Sequence, residues 1–261
     1  MFVLSGMSSG TTAKRGLGII LRRNAPLVRQ GTHIVDKINV AIDGPAGAGK
    51  STVARMVAQK LSYIYVDTGA MYRAVTWYMI HKDIMPEDHD NVLQTVRNMV
   101  IELVPGEEVQ KVIINGEDAT PYIRSLQVSG MVSQYAKIES IRTRLSQLQR
   151  EMALGKGVVM DGRDIGTTVL PDAEVKIFMT ASVEERALRR YKELKDAEQV
   201  TLEQLENDIA QRDLLDQSRE ISPLRRADDS ILLDTTSMDI VQVVETIVSH
   251  CRSYVGGERN H

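Results

Sequence analysis

The segment Ile38–Ser51, with the sequence INVAIDGPAGAGKS, decides the fold of this protein. Its first five residues, Ile38–Ile42, are mostly apolar and predict a short buried strand, and helical periodicity begins at Lys50. Between these two elements the chain matches the phosphate-loop pattern GxxxxGK[ST], through Gly44, Pro45, Ala46, Gly47, Ala48, Gly49, Lys50 and Ser51. A strand before the pattern and a helix after it are the context that such a loop requires. We therefore expect this segment to bind phosphate groups, and not to be a glycine-rich turn without a ligand.

The residue types of this loop suit a nucleoside triphosphate. Its glycines allow backbone N–H groups to turn inward around phosphate oxygens, and the N-terminus of the following helix adds positive potential. We expect Lys50 to reach the β and γ phosphates of ATP and the Ser51 hydroxyl to hold Mg²⁺. Thr52 completes the predicted ATP-binding segment.

Further strands and helices alternate along the rest of the chain. The other short apolar runs are Tyr63–Val66, Gly157–Met160, Val175–Met179 and Ile231–Leu233. Helical periods cover Lys50–Leu61, Gly69–His81, Asp90–Val100, Ile138–Leu154, Val183–Lys195, Leu202–Ser218 and Asp239–Val255. This alternation predicts an α/β fold with a five-stranded parallel core sheet covered by helices.

One stretch of about 90 residues between the second and third core strands departs from this alternation. It contains Val100–Val104, a Pro105-Gly106 turn, Val109–Ile114 and an Asn115-Gly116 turn. Because these turns are typical of hairpins, we expect a small antiparallel insert here.

The composition of the 261 residues excludes several classes of protein. An aromatic content of 4% disfavours a binder that stacks single-stranded nucleic acid, and no apolar run is long enough to cross a bilayer. The single Cys251 excludes an internal disulfide and a thiolate zinc site, and the five histidines lack ligand spacing. We expect a cytoplasmic protein that does not bind a membrane.

Residues 1–35 differ from the remainder of the chain. They carry five basic residues and no acidic residue. Because the whole chain has a net charge of −3, the other residues together carry a charge of about −8. Two interpretations stay open, a targeting segment or sequence added by an upstream start codon. In both cases we expect a disordered extension without catalytic residues, followed by a domain over residues 36–255.

Two clusters of charged residues lie next to predicted strands. In DTGAMYR, Thr68 occupies the expected cap position of a helix, and Arg73 lies one turn further on. In DGRD, Arg163 and Asp164 follow a buried strand, where open parallel sheets bind their ligands. An ordinary capped helix and a plain turn are the alternatives for these two segments.

Two predicted helices carry further arginines at helical spacing. Arg212, Asp216 and Arg219 lie on one face if the second helix continues. The first helix contains Arg186, Arg189 and Arg190. Solvated i,i+4 ion pairs, such as Glu185 with Arg189 or Arg212 with Asp216, are the alternative for both helices.

Five segments together point to one family: IDGPAGAGKST, YVDTGAMYR, VVMDGRDIGTTVLPDAEVKIF, ASVEERALRR and REISPLR. From Ile38 to about Arg252 the sequence resembles the bacterial-type cytidylate kinases. The resemblance implies a three-layer nucleoside-monophosphate kinase fold with a core (36–68 and 156–255), a monophosphate-binding insert (about 69–155) and a helical lid (about 185–215). It also implies phosphoryl transfer from ATP to CMP and dCMP. We expect the protein to use Mg²⁺, through the phosphate loop, and to act as a monomer.

The resemblance assigns roles to most of the charged clusters. Lys50, Arg163 and Arg212 are the implied catalytic residues. By this resemblance Arg73, Arg163 and Arg219 bind the acceptor phosphate, and Asp216 contacts the ribose. Ser133, Arg142 and Asp164 are implied to recognise cytosine. Arg186 and Arg190 are implied to contact ATP from the lid.

Other functions remain open from the sequence. The same chemistry on UMP or AMP is the nearest, and an ATP-dependent switch or ATPase is the second. A nucleic-acid binder that acts through the basic extension is the third. The doubled arginine clusters disfavour the switch, because a switch needs only one phosphate site.

Overall fold

The computed structural model describes residues 19–21, 37–106, 110–193 and 200–257. Its centre is a five-stranded parallel sheet with the order β3-β7-β2-β8-β9. The five strands are β2 (Asn39–Asp43), β3 (Ile64–Asp67), β7 (Val158–Gly162), β8 (Val175–Thr180) and β9 (Ile231–Asp234). This sheet confirms the α/β fold and the five core strands predicted from the sequence.

Side chains of the sheet alternate between two apolar layers, as strands covered on both faces require. Val40, Ile42 and Val159 pack in one layer with α1 (Lys50–Leu61) and α8 (Ile240–Val255). Ala41 and Met160 point into the other layer, which contains α2 (Thr68–His81) and α5 (Glu139–Ala153). Helices on both faces complete the three layers.

The predicted insert contains a small second sheet. Strands β4 (Ile101–Val104) and β5 (Lys111–Ile114) pair antiparallel, and β6 (Glu117–Asp118) follows the Asn115-Gly116 turn. Two further helices, α3 (His89–Arg97) and α4 (Leu126–Tyr135), lie in the same region. Helix α4 was not predicted. The insert and lid boundaries stay predictions.

The extension contributes one short strand to this second sheet. The backbone of β1 (Ile19–Leu21) pairs in parallel with Ile101–Leu103 of β4. For these three residues the expectation of a disordered extension is wrong, because the open edge of β4 accepts their backbone. The remainder of residues 1–35 lies outside the described residues.

Two helices form the described part of the predicted lid. These are α6 (Val183–Glu193) and α7 (Leu202–Gln217), which pack against each other. Residues 194–199 between them lie outside the described part of the chain. A π-helical turn, Ile165–Val169, follows β7 and was also not predicted.

Gly44 shows how tightly the phosphate loop leaves the sheet. A Cβ at Gly44 would lie 2.0 Å from the Met179 carbonyl oxygen of β8, and the φ of Gly44 is 150°. We therefore expect Gly44→Ala to lower the free energy of unfolding by about 3 kcal/mol or more, measured by urea denaturation. The matched control is Gly130→Ala on the exposed face of α4, where the added methyl meets no atom within 4 Å. It should raise stability by about 0.5–1 kcal/mol, and an equal loss in both variants would contradict the clash.

Candidate active site

The phosphate loop joins the central strand β2 to helix α1, so that it lies at the carboxyl edge of the sheet. Gly47 and Gly49 have φ values of 74° and 81°, which lie in the left-handed region that favours glycine. Lys50 is the first residue of α1, and its Nζ donates a hydrogen bond to the Pro45 carbonyl at 2.6 Å. Burial, and then the nearby Arg163 guanidinium, lower the pKa of Lys50 well below its usual value. The loop therefore holds a buried cation that an anion would stabilise.

Asp161, at the end of β7, connects the loop to the neighbouring strands. It accepts hydrogen bonds from the Ser51 hydroxyl at 2.8 Å and from the Tyr65 hydroxyl at 3.0 Å. Burial, and then the charge of Asp67, raise the pKa of Asp161 above its ordinary value. A carboxylate and a hydroxyl thus lie together beside the first turn of α1, and both are oxygen ligands of the kind that Mg²⁺ prefers.

The other carboxylate next to the loop, Asp43, is used differently. Its two oxygens accept the backbone N–H groups of Ile165 at 2.8 Å and Gly166 at 2.7 Å. Burial raises the pKa of Asp43 to about 6, although both hydrogen bonds oppose that rise. Asp43 therefore holds the start of the π-helical turn, whereas Asp161 faces the loop.

The start of helix α2 corrects one expectation. Asp67, and not Thr68, caps this helix, because the Asp67 carboxylate accepts the Ala70 N–H at 2.7 Å. The Thr68 hydroxyl instead donates to the Asp161 carbonyl at 2.6 Å. An aspartate is at least as good a cap as threonine, and the hydroxyl of Thr68 faces β7. Arg73 lies one turn further along α2, with its Nη2 3.5 Å from the Asp67 carboxylate.

A buried aspartate on α7 pairs with two of the three predicted acceptor arginines. Asp216 accepts a hydrogen bond from Arg163 Nε at 2.8 Å and a second one from Arg219. Burial favours the neutral acid, but Arg163 and Arg219 together hold the pKa of Asp216 below its ordinary value. Helix α7 ends at Gln217, so Arg219 reaches Asp216 from beyond the helix. Asp216 thus pairs with these two arginines. The surface alternative, an ion pair between Arg212 and Asp216, is not what the structure shows.

Arg212 lies close to three other arginines. Burial, then the neighbouring Arg163, Arg73 and Arg219, lower its pKa to about 10, while Asp216 opposes this. Four buried guanidinium Nε atoms in the region have no hydrogen-bond partner among the described residues, those of Arg73, Arg142, Arg212 and Arg219. A cluster of cations with unused donors is an environment in which an anion is strongly stabilised.

Arg142 and Asp164 form a separate buried pair beside this cluster. Arg142 Nη2 donates to Asp164 Oδ2 at 2.6 Å, and its Nη1 donates to the Ala136 carbonyl at 3.1 Å. The guanidinium also lies 5.5 Å from the ring centre of Tyr72. Ser133, the third predicted cytosine contact, lies half-buried on α4, which packs against α2.

Comparisons with known proteins identify the family of this chain. The model of the family described as cytidylate kinase matches residues 40–253. The chain belongs to the cytidylate kinase family. A cytidylate kinase of Bacillus cereus (strain ATCC 10987 / NRS 248) is 53% identical over 214 residues, which are 82% of this chain and 95% of the relative. That of Bacillus thuringiensis (strain Al Hakam) is 53% identical over 213 residues, which are 81% of this chain and 95% of the relative.

Solved structures of other kinases show a distant likeness. A shikimate kinase from Bacteroides thetaiotaomicron is 14% identical, with a TM-score of 0.43 over 85% of this chain and 99% of its own. Within the described residues of this cytidylate kinase family member, no helix is both long and apolar enough to span a membrane.

The lid arginines of this cytidylate kinase family member occupy different positions. Arg190 is exposed and pairs with Glu193. Arg189 donates to Glu185 at 2.9 Å, as the surface alternative predicted. Arg186 is buried and donates to the Ala46 carbonyl of the phosphate loop at 2.9 Å, so that it reaches the loop through its backbone.

Sequence reasoning missed three residues of this site in the cytidylate kinase fold. Tyr65 orients Asp161, Asp67 caps α2, and Asp213 accepts hydrogen bonds from Arg186 and the Ala46 N–H. A signal existed for Asp213, because it continues the buried stripe of Leu205 and Ile209 along α7. A charged residue on a buried helical face needs a partner. No local pattern marked Tyr65.

Proposed function

We propose that this chain transfers the γ-phosphoryl group of ATP to CMP and dCMP, giving ADP and the corresponding diphosphates. The observation that carries the proposal is the cluster of cations formed by Lys50, Arg73, Arg163, Arg212 and Arg219, in which burial, and then neighbouring cations, lower the pKa of Lys50 and Arg212. Mutual repulsion of this kind is tolerated in a site built to receive several negative charges. A triphosphate and an acceptor phosphate bring those charges together.

On the donor side, the segment Gly44–Thr52 holds the phosphates of ATP. In this proposal the N–H groups at the start of α1 bind phosphate oxygens, and the Lys50 ammonium leaves the Pro45 carbonyl to contact the β and γ phosphates. Burial strengthens each of these interactions, because little water competes for the phosphate oxygens.

The chemistry of Ser51 and Asp161 fits Mg²⁺ between them. Ser51 offers its oxygen to the ion while its proton remains donated to Asp161, which attracts the ion directly or through water. The described residues contain no group of three or more His, Cys, Asp or Glu side chains placed to hold a metal. In this proposal phosphates and water would supply most of the ligands of the ion. When bound, Mg²⁺ neutralises charge on the β and γ phosphates.

On the acceptor side, Arg73, Arg163 and Arg219 hold the phosphate of CMP. The unused Nε donors of Arg73 and Arg219 support this role. Asp216 orients Arg163 and Arg219 through its two ion pairs. In this proposal it also accepts a hydrogen bond from a ribose hydroxyl. Arg212 stabilises the equatorial oxygens as the phosphoryl group passes in line through a loose transition state. The acceptor phosphate is already an anion, so that no covalent enzyme intermediate and no strong base are required.

The pair of Arg142 and Asp164, with Ser133, gives a physical basis for selecting cytosine. Cytosine presents an amino donor at N4 and acceptors at N3 and O2, which a carboxylate and an arginine match. Uracil presents an acceptor at O4 and a donor at N3, and would place an acceptor against Asp164. We therefore propose that CMP and dCMP are preferred over UMP. We also propose that Arg186 and Arg190 serve the ATP side of the site, and that the protein is a cytoplasmic monomer that binds no nucleic acid.

The proposal is tested by measuring ADP release from ATP and Mg²⁺ with CMP, dCMP, UMP, AMP or GMP as acceptor. Fast release with CMP and dCMP alone is expected. Equally fast ADP release with UMP or AMP would contradict the proposed recognition of cytosine by Ser133, Arg142 and Asp164. Release that does not depend on any acceptor would indicate an ATPase or a switch.

A further inference from the structure

Helices α6 and α7 hold the phosphate loop through both polar groups of one residue. The Ala46 carbonyl accepts a hydrogen bond from Arg186 Nη1 at 2.9 Å, and the Ala46 N–H donates to Asp213 Oδ1 at 3.2 Å. Arg186 Nη1 also lies 2.6 Å from Asp213 Oδ2. The three groups therefore form a closed ring between the loop and the two helices.

The next residue of the loop lies directly against the same helices. A Cβ at Gly47 would be 3.3 Å from the Cβ of Arg186 and 3.6 Å from the Cδ1 of Ile209. Close packing at Gly47 and the ring at Ala46 thus act on neighbouring peptide groups. The position of α6 and α7 sets the conformation of the loop at this point.

The presence of a carboxylate here requires an explanation. A negative charge close to a phosphate-binding loop opposes the binding of phosphate, and a buried charge without a partner is costly. Arg186 offsets both effects for Asp213, which is 9% exposed. What the pair contributes is the fixed orientation of Ala46, because its N–H and carbonyl each have a charged partner.

We infer that Asp213 is a positioning residue for the ATP side of the site. Through Ala46 and Arg186 it holds the loop with Gly47, Ala48 and Gly49 free to offer their N–H groups to phosphate. The inference rests on the proposed function, in which this loop binds the phosphates of ATP. In this role Asp213 acts without touching phosphate, and it ties the two helices of the predicted lid to the loop.

The test compares Asp213→Ala with Asp213→Asn. Alanine removes both contacts, whereas asparagine keeps an oxygen for the Ala46 N–H and loses the ionic contact with Arg186. We expect Asp213→Ala to weaken ADP binding, measured by titration calorimetry without acceptor, by about tenfold or more, and Asp213→Asn by less. The KM for ATP should rise in parallel, while the KM for CMP changes less than about twofold.

The matched control is Glu185→Gln, which removes an ion pair of similar length from another side of α6. It should leave ADP binding unchanged. Unchanged ADP binding in Asp213→Ala would overturn the inference, and so would an equal loss of ATP and CMP affinity, which a purely structural role predicts. If Asp213→Ala does not fold, Asp213→Asn decides by the same criteria. Failure of the proposed function is distinguishable, because it would appear in the wild-type protein as ADP release that no monophosphate stimulates.

Discussion

Lys50→Ala should lower kcat by at least about 10²–10³-fold and leave the fold intact. The Lys50 ammonium is buried at the start of α1, next to the loop that holds the transferred phosphoryl group in our proposal. Removing a preorganised charge from such a site costs transition-state stabilisation that solvent does not replace. The measurement is steady-state ADP release at saturating ATP and CMP.

The stability of this variant is part of the prediction. The pKa of folded Lys50 lies below its unfolded value, so the unfolded state binds the proton more tightly, and stability rises with pH through that range. At pH values below the unfolded pKa of lysine, the burial of Lys50 therefore costs stability, and Lys50→Ala should not lower the melting temperature. Lys60→Ala is the control, because Lys60 lies on the exposed side of the same helix and pairs with Glu245. Turnover like that of the wild type in Lys50→Ala would contradict the assignment of the phosphate loop.

Arg212→Ala should lower kcat by a factor on the order of 10³, if this arginine stabilises charge on the transferring group as an arginine finger does. Burial and three neighbouring arginines lower its pKa to about 10, and its Nε has no partner among the described residues. Such a group gains most when negative charge develops beside it. The measurement is kcat with the KM values for ATP and CMP determined separately.

The control for Arg212 is Arg252→Ala, which removes an exposed cation on α8 far along the chain from the loop. It should leave kcat unchanged. A rise in the KM for CMP alone in Arg212→Ala would show that Arg212 binds the acceptor without stabilising the transition state. Because Arg163, Arg212 and Asp216 lie close together, losses in double variants should not add.

Much of the core could be predicted because its signals are local. Helix α1 begins at Lys50 and ends at Leu61 as predicted, and the five core strands lie within two residues of their predicted positions. Apolar runs and helical periods extend over a few residues, so that neighbours in the sequence carry the whole signal. The hairpin of β4 and β5 was found for the same reason.

Elements that depend on distant partners were missed. The π-helical turn begins where Ile165 and Gly166 donate to Asp43, which lies 122 and 123 residues earlier in the chain. Helix α4 contains Gly130 and the β-branched Val128 and Val132, which have low helical propensity, and it packs against α2. The low local preference explains why the sequence did not mark it.

By itself, the sequence determined the phosphate loop, the strands and helices that carry the charged clusters, and the family resemblance. The tertiary structure alone decided the partner of each charged side chain: Arg163 with Asp216, Arg142 with Asp164, and Arg186 with Ala46 and Asp213. A local pattern specifies on which face of a helix a residue lies. Its partner and its pKa depend on distances between elements far apart in the chain, and only the packed fold sets those distances.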